Sequence, residues 1–519
     1  MVKQKINKLM NFRFALCLAV AMIVSTIFAS CLFVSQKSKI CFIVVLFVVF
    51  AITALCFAIF KRKFLVVVLS VLFAGIIPVV SIYFKAETLN KNNSIISEDC
   101  SYVGKIFSLS KNLDKNAIFI ELDDVYIVNG EDKSSFSGMI YVRLGADGVD
   151  TSKLEIGKVI SIYNAKTYGY TLCETTSEND RSNISRGVNA ISFAYAHNLK
   201  IEDEKRVGFR DKIKQKVYEN FEETDTFFTN IGYAMIFGES SVLNDEVYDI
   251  FKDSGIAHLL AVSGFHVSVI VAVLMFLLNK TKANKYLKFL IIATILTFYA
   301  YLCSFSVSVI RASIMSLLLI YSSNRCKEYD KLSALSLAAC LILIVSPMQL
   351  FNLSFVFSFV SILSIILLMP IFERLLNKIF TEKMAAATSV SVAVSFGISI
   401  FQLYYFGKFP VLSIVSNVIA IPVISVLFVF LLISVILGPI FSVAVPLIKF
   451  FGYCMKYVVQ FNGVISKSGL FISCGEFACV AMLLSVLIMF VVSDYLFASK
   501  KVKVLSIIPL VAALFLVMI

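Results

Sequence analysis

The chain has 519 residues, 59% of them hydrophobic and only 16% charged, with a formal net charge of +13. That balance excludes a water-soluble globular domain and a disordered chain, because runs of the roughly 20 apolar residues that cross a bilayer recur along it. Lys and Arg collect in short segments between apolar runs, as the cytoplasmic loops of a polytopic membrane protein require, so the positive charge does not by itself imply a nucleic-acid partner.

Lys3, Lys5, Lys8 and Arg13 keep the N-terminus in the cytoplasm. The first apolar run is read as a retained helix, because no small-residue cleavage site stands out and further spans follow closely. Spans near 14–34, 41–60 and 64–84, with Lys61, Arg62 and Lys63 inside, make an N-terminal membrane block over 1–84. Three spans place the next polar region, 85–204, outside the membrane. Lys37 and Lys39 fall in an outer turn, against the charge rule.

Residues 97–170 change character. Short β-rich runs, Tyr102–Leu109, Ala117–Val128, Gly138–Leu144 and Val159–Tyr168, are broken by Gly, Asn and Asp. Ile118, Ile120 and Leu122 alternate with Phe119, Glu121 and Asp123, the pattern of a half-buried strand. Asn129-Gly130 is a hairpin signal. Four or five such strands suit a small β-barrel of the OB type, with a generic small sandwich as the alternative. Of twelve cysteines, only Cys100 and Cys173 fall in this outer region, and they are candidates for a structural disulfide.

Residues 205–230 form a linker in which Val207, Ile213, Val217 and Phe221 recur at helical spacing. Such a helix lies on the outer membrane surface or stands as a solvated connector. The block 231–437 opens with Gly238-Glu239. Asn244 is suited to cap an amphipathic helix ending near Asp253. The run Ser254-Gly-Ile-Ala-His-Leu-Leu-Ala-Val-Ser-Gly-Phe-His-Val267 follows and holds His258 and His266, two of the three histidines in the chain. Imidazole in or near lipid is costly, so the pair marks a functional site. The clusters Lys280/Lys282/Lys285/Lys288, Arg325/Lys327/Lys331 and Arg374/Lys378/Lys383 pair 289–305 with 306–322 and 332–346 with 347–369 as hairpins. In 438–519, Lys449 and Lys456 interrupt the hydrophobicity of 438–474, which fits an interfacial piece. The expected fold is a polytopic α-helical membrane protein of about 11–13 spans with an inserted extracytoplasmic OB-like barrel.

Three ordered motifs carry a resemblance. The first is Gly238, Glu239, Gly255, His258, Leu259, Leu260, Ala261, Ser263, Gly264, His266 and Val267. The second is Ser306-Val-Ser-Val-Ile-Arg-Ala-Ser-Ile-Met315. The third is Gln402-Leu-Tyr-Tyr-Phe-Gly407 with Asn417 and Pro422. Together they resemble the ComEC-type competence proteins, the DNA-uptake channels of transformable bacteria. The resemblance implies translocation of single-stranded DNA across the cytoplasmic membrane without a cofactor. It also implies a separate DNA receptor, nuclease and cytoplasmic ATP-driven motor as partners, with a homo-oligomer as one expected assembly. His258, Ser263, Gly264, His266, Arg311, Gln402 and Asn417 are its channel residues. Tyr299, Tyr301, Tyr404 and Tyr405 offer stacking faces, or else belong to an ordinary aromatic belt.

This chain departs from the family pattern at several positions. Ser304 stands for a Gly, Val307 for a Pro, Val356 for a Gln, and Ser346 for the Asp of an Asp-Pro pair. Many members also carry a C-terminal metallo-β-lactamase-like domain. That domain needs a His/Asp metal cluster, and no histidine follows His266. Two other readings use the same residues. One is a transporter for another anionic polymer or solute. The other is an intramembrane hydrolase built on Ser263 and His266, although a Ser and His three apart on one helix aim poorly at each other and lack an orienting carboxylate. No Gly-x-x-x-x-Gly-Lys-Ser/Thr loop is present, so ATP would be spent by a partner.

Overall fold

A computed structural model describes residues 14–32, 62–112, 117–129, 132–150, 154–172, 176–205, 208–222, 226–239, 243–437, 444–473 and 480–494. The expected span near 41–60, Gly130 of the hairpin turn, Cys173 with its expected pairing, and the last apolar run lie outside these residues.

In chain order the elements are α1 (Phe14–Leu32), α2 (Arg62–Ile95), β1 (Asp99–Asn112), β2 (Ala117–Asn129), β3 (Asp132–Ser135), β4 (Met139–Gly145), β5 (Lys158–Gly169), α3 (Glu178–Ser185), β6 (Val188–Ala194) and β7 (Leu199–Lys205). They continue with α4 (Phe209–Glu222), α5 (Thr226–Phe237), α6 (Asp245–Asp253), α7 (Gly264–Asn279), α8 (Lys285–Leu302), α9 (Val307–Asn324), α10 (Lys331–Val345) and α11 (Leu353–Leu376). The last are α12 (Glu382–Phe406), β8 (Lys408–Pro410), α13 (Ser413–Leu437), α14 (Ala444–Lys467), β9 (Phe471–Ser473) and α15 (Val480–Val492).

Among the described residues six helices are long and apolar enough to cross a membrane: Leu72–Ile95, Lys285–Leu302, Val307–Asn324, Leu353–Leu376, Glu382–Phe406 and Ser413–Val435. Four shorter apolar helices accompany them: Ala15–Ile27, Gly264–Asn279, Lys331–Val345 and Ala481–Val492. The protein is therefore a polytopic helical membrane protein carrying a small barrel. Its chain forms two compact units. One holds the described residues up to Ile213 together with Leu332–Phe355, and the other holds Lys214–Lys331 and the chain from Val356 onward.

In the first unit, five strands close on themselves. β1, β2 and β4 form an antiparallel meander, β4 pairs in parallel with β6, β6 pairs antiparallel with β5, and β5 returns to β1. β3 and β7 extend β2 and β5 at the edges. Closure leaves the ring without a free edge. The alternation read in β2 decides which way each side chain points. Ile118, Ile120 and Leu122 face inward opposite Leu144, Val142 and Ile140 of β4, and all six are buried. Tyr102, Ile106, Ile160 and Ile162 complete that core. Full burial of each aliphatic side chain contributes roughly 1.5–3 kcal/mol before entropy is counted. Cys100 is a free, buried thiol at the start of β1, and burial pushes its pKa up.

The four runs expected in 97–170 are β1, β2, β4 and β5. The fifth ring strand, β6, lies beyond that stretch. The inward positions of β6 are mostly small, Ala190, Ser192 and Ala194, while the large side chains Ile191 and Phe193 point outward, so hydrophobicity does not follow the pleat and the period-two signal is lost.

Beneath the barrel, Tyr170, Leu172, Ile184 and Val188 pack with Ala29 of α1, Ile82 and Leu89 of α2, and Met348. Met348 sits in a 3-10 turn, Pro347–Phe351, about 160 residues further along the chain. Two contacts fix that turn. The Gln349 side-chain amide donates to the Ser185 carbonyl at 2.9 Å, and the Arg181 guanidinium lies 5.5 Å from the centre of the Phe351 ring.

Candidate membrane site and nucleic-acid interface

The histidine run folds as a turn between α6 and α7 in the second unit. Asn244 occupies the N-cap of α6 as expected, although its side chain makes no capping bond. The helix ends where Gly255 takes φ +79°, a conformation other residues adopt with strain. A Cβ on Gly255 would lie 2.4 Å from the Ser413 Cβ, so the turn lies directly against the start of α13. Lys408 of β8 holds Asp253 at 2.7 Å from the same side. His258 follows in a 3-10 turn, Ala257–Leu259, as an exposed residue beside Gly255.

Ser263 and His266 form a reciprocal helix cap. The Ser263 backbone N–H donates to His266 Nδ1 at 3.0 Å, while the Ser263 side chain accepts from the His266 backbone N–H. His266 stands where a Glu would stand in an ordinary capping box. With Nδ1 accepting a backbone proton, the neutral ring carries its own proton on Nε2. His266 is fully buried, its ring centre 4.4 Å from that of Phe428, and Nε2 has no partner. Of the two histidines, His258 is exposed and the His266 ring packs inside.

Arg311 of α9 is 3% exposed. One terminal nitrogen donates to both the carbonyl and the hydroxyl of Ser358 on α11, and its Nε has no partner. Phe359 places its ring centre 5.9 Å from the guanidinium carbon. A Cβ on Gly264 would meet Arg311 Nη2 at 2.5 Å, so glycine at the start of α7 is what admits the guanidinium. No carboxylate pairs with Arg311 among the described residues.

Gln402 Oε1 and Asn417 Oδ1 are likewise buried without partners, as are the hydroxyls of Ser306 and Ser313. Other buried serines, such as Ser336 and Ser364, bond the carbonyl four residues back. In hydrocarbon an unsatisfied polar atom costs several kcal/mol, and the unmet groups named here all fall in the three motifs. Of the tyrosines, Tyr299 is buried and donates to the Ile236 carbonyl at 3.0 Å, a packing role. Tyr404 and Tyr405 stack edge to face at 5.0 Å, and Tyr301 stays exposed.

In helix α4 the most deeply buried described side chain is Lys214, paired with Glu239 beside the Phe237 ring. Glu239 of the first motif is thus an anchor for the linker helix. Removing one partner strands a buried charge. Glu239→Ala is expected to cost about 3–5 kcal/mol, read as a lowered thermal unfolding midpoint. Replacing both partners with Met and Leu should recover most of it.

The barrel carries a second set of groups on its outer face. Cross-strand register aligns Phe119 of β2, Arg143 of β4, Phe193 of β6 and Lys166 of β5 in one row. The neighbouring row is Glu121, Tyr141, Ile191 and Tyr168. Phe119 stacks on Tyr141 at 5.7 Å, and Tyr168 meets Phe193 at 6.3 Å. Past the first row, Tyr195 leans over Gly145 and stacks on His197 at 5.8 Å. Rings interleaved with cations form a platform for planar bases on a phosphate chain. The alternation that turns Ile118 and Ile120 inward also turns Phe119 outward, and that is the signal in the chain for this row.

A family model described as Competence protein matches residues 235–517, more than half of the chain. The chain belongs to the competence protein family. ComE operon protein 3 of Bacillus subtilis (strain 168) is 27% identical over 194 residues, covering 37% of this chain and 24% of that protein. An uncharacterized protein of Aquifex aeolicus (strain VF5) is 32% identical over 176 residues, covering 33% of this chain and 42% of the other. The alignments thus span less than half the length of either relative. No solved structure matches. All three motifs lie within the matched residues, and the barrel precedes them.

Proposed function

We propose that this competence-family protein passes single-stranded DNA through the cytoplasmic membrane of a bacterium during natural transformation. The observation that carries the reading is the row Phe119, Arg143, Phe193 and Lys166 on the barrel. Alternating rings and cations bind a strand without regard to sequence, which uptake of arbitrary DNA demands. For a small solute such a platform would be idle. The barrel stands outside the membrane and receives the strand, with the N-terminus in the cytoplasm. The block 231–437 conducts it, with His258, Arg311, Gln402 and Asn417 on the path. A separate receptor, nuclease and ATP-driven motor work with it.

The hydrolase reading finds little support in the pair it needs. Ser263 Oγ lies 3.2 Å from His266 Nδ1, but that nitrogen already accepts a backbone N–H, and no carboxylate orients the ring among the described residues. The test of the uptake reading is deletion of the gene, followed by measurement of labelled DNA. Cells should still bind DNA at the surface and fail to bring it into a nuclease-protected form. Unchanged internalisation would overturn the proposal.

A further inference from the structure

We infer that the start of α7 and Arg311 together form a binding site for a tetrahedral oxyanion, a phosphate mono- or diester group. Two positive ends meet there. Helix α7 is 16 residues long and presents the positive end of its backbone dipole at Gly264. The Arg311 guanidinium is packed against that same glycine, at a separation that excludes even a methyl group. Cations are ordinarily favoured at the other end of a helix, so the two groups repel unless an anion joins them.

The protein supplies no such anion among the described residues. Glu239 is held by Lys214 and Asp253 by Lys408. Glu246 and Asp249 are exposed on α6. The partners that Arg311 does have are neutral: the Ser358 carbonyl and hydroxyl, and the face of Phe359. Its Nε remains unpartnered although the residue is 97% buried. Guanidinium groups and helix N-termini both favour oxyanions, the first through its fork of donors and the second through free backbone N–H groups. Ser358 steadies one arm of the fork and leaves the rest for the ligand.

The anion itself follows from the geometry at Gly264 and Arg311. Only its source, a phosphodiester of a passing strand, rests on the uptake reading. The experiment uses the full chain in lipid nanodiscs of zwitterionic composition. Inorganic phosphate and a short oligothymidylate are titrated separately, with chloride as control, and the thermal unfolding midpoint and phosphorus NMR linewidths are read. Phosphate is expected to raise the midpoint and broaden its own resonance, and Arg311→Gln should weaken both at least tenfold. Arg311→Lys keeps the charge without the fork and should fall between. Ser358→Ala serves as a second variant should Arg311→Gln fail to fold, and should weaken binding while leaving chloride without effect. Equal responses in wild type and Arg311→Gln, or none in wild type, overturn the site. Binding of inorganic phosphate but not of oligothymidylate keeps the oxyanion site and removes the strand as its source.

Discussion

Phe193→Ala, in the full chain held in nanodiscs, is expected to weaken binding of oligothymidylate about 5- to 150-fold. The range follows from roughly 1–3 kcal/mol per stacked base. Phe119→Ala should act similarly, and the double variant should show non-additivity, because both rings border Arg143 in the register. Arg143→Ala and Lys166→Ala should behave differently. Each removes a phosphate contact, so the slope of log affinity against log salt should shallow by about 0.7 per residue. Neither variant should alter the barrel's stability by much, since both side chains are exposed. A salt slope unchanged by both substitutions, with stacking variants that bind normally, would move the interface to another face.

The second large effect is expected at Gly255. Gly255→Ala must adopt φ +79° and fit a methyl group 2.4 Å from the Ser413 Cβ. Left-handed strain of about 1–2 kcal/mol adds to overpacking of about 1–3 kcal/mol. The midpoint of unfolding should fall, and DNA import should fall with it, because the turn that carries His258 is displaced from α13. Gly255→Asn separates the two causes. Asparagine tolerates the left-handed conformation but still needs the space, so it should recover only the strain part.

Much of the architecture was legible in the chain. Charge clusters placed the hairpin α8–α9, and alternation placed β1, β2, β4 and β5 within a few residues. What escaped had physical reasons. Strand β6 turns small residues inward, Ala190, Ser192 and Ala194, and large ones, Ile191 and Phe193, outward, so its apolar pattern does not announce a strand. Helix α4 buries Lys214, because a carboxylate 25 residues away meets it, and no spacing rule within the helix announces that. Of the candidate site residues, Arg311 and Gly264 are brought together, whereas Ser358, which holds Arg311, could not be found without the packing of α9 on α11. The Ser263/His266 spacing of three was visible throughout. Its meaning as a cap depends on which ring nitrogen faces the backbone, and that is a tertiary fact.

The 3-10 turn at Pro347–Phe351 has a practical bearing on dissection of the molecule. Cutting the gene at the borders of its sequence motifs would separate the barrel from Met348, Gln349 and Phe351, which seal its underside. An excised barrel would then present Tyr170, Leu172, Ile184 and Val188 to water, an apolar patch prone to self-association. Supplying residues 332–355 in trans, as a separate peptide, should restore solubility, making this protein a natural candidate for split-fragment complementation rather than for simple truncation.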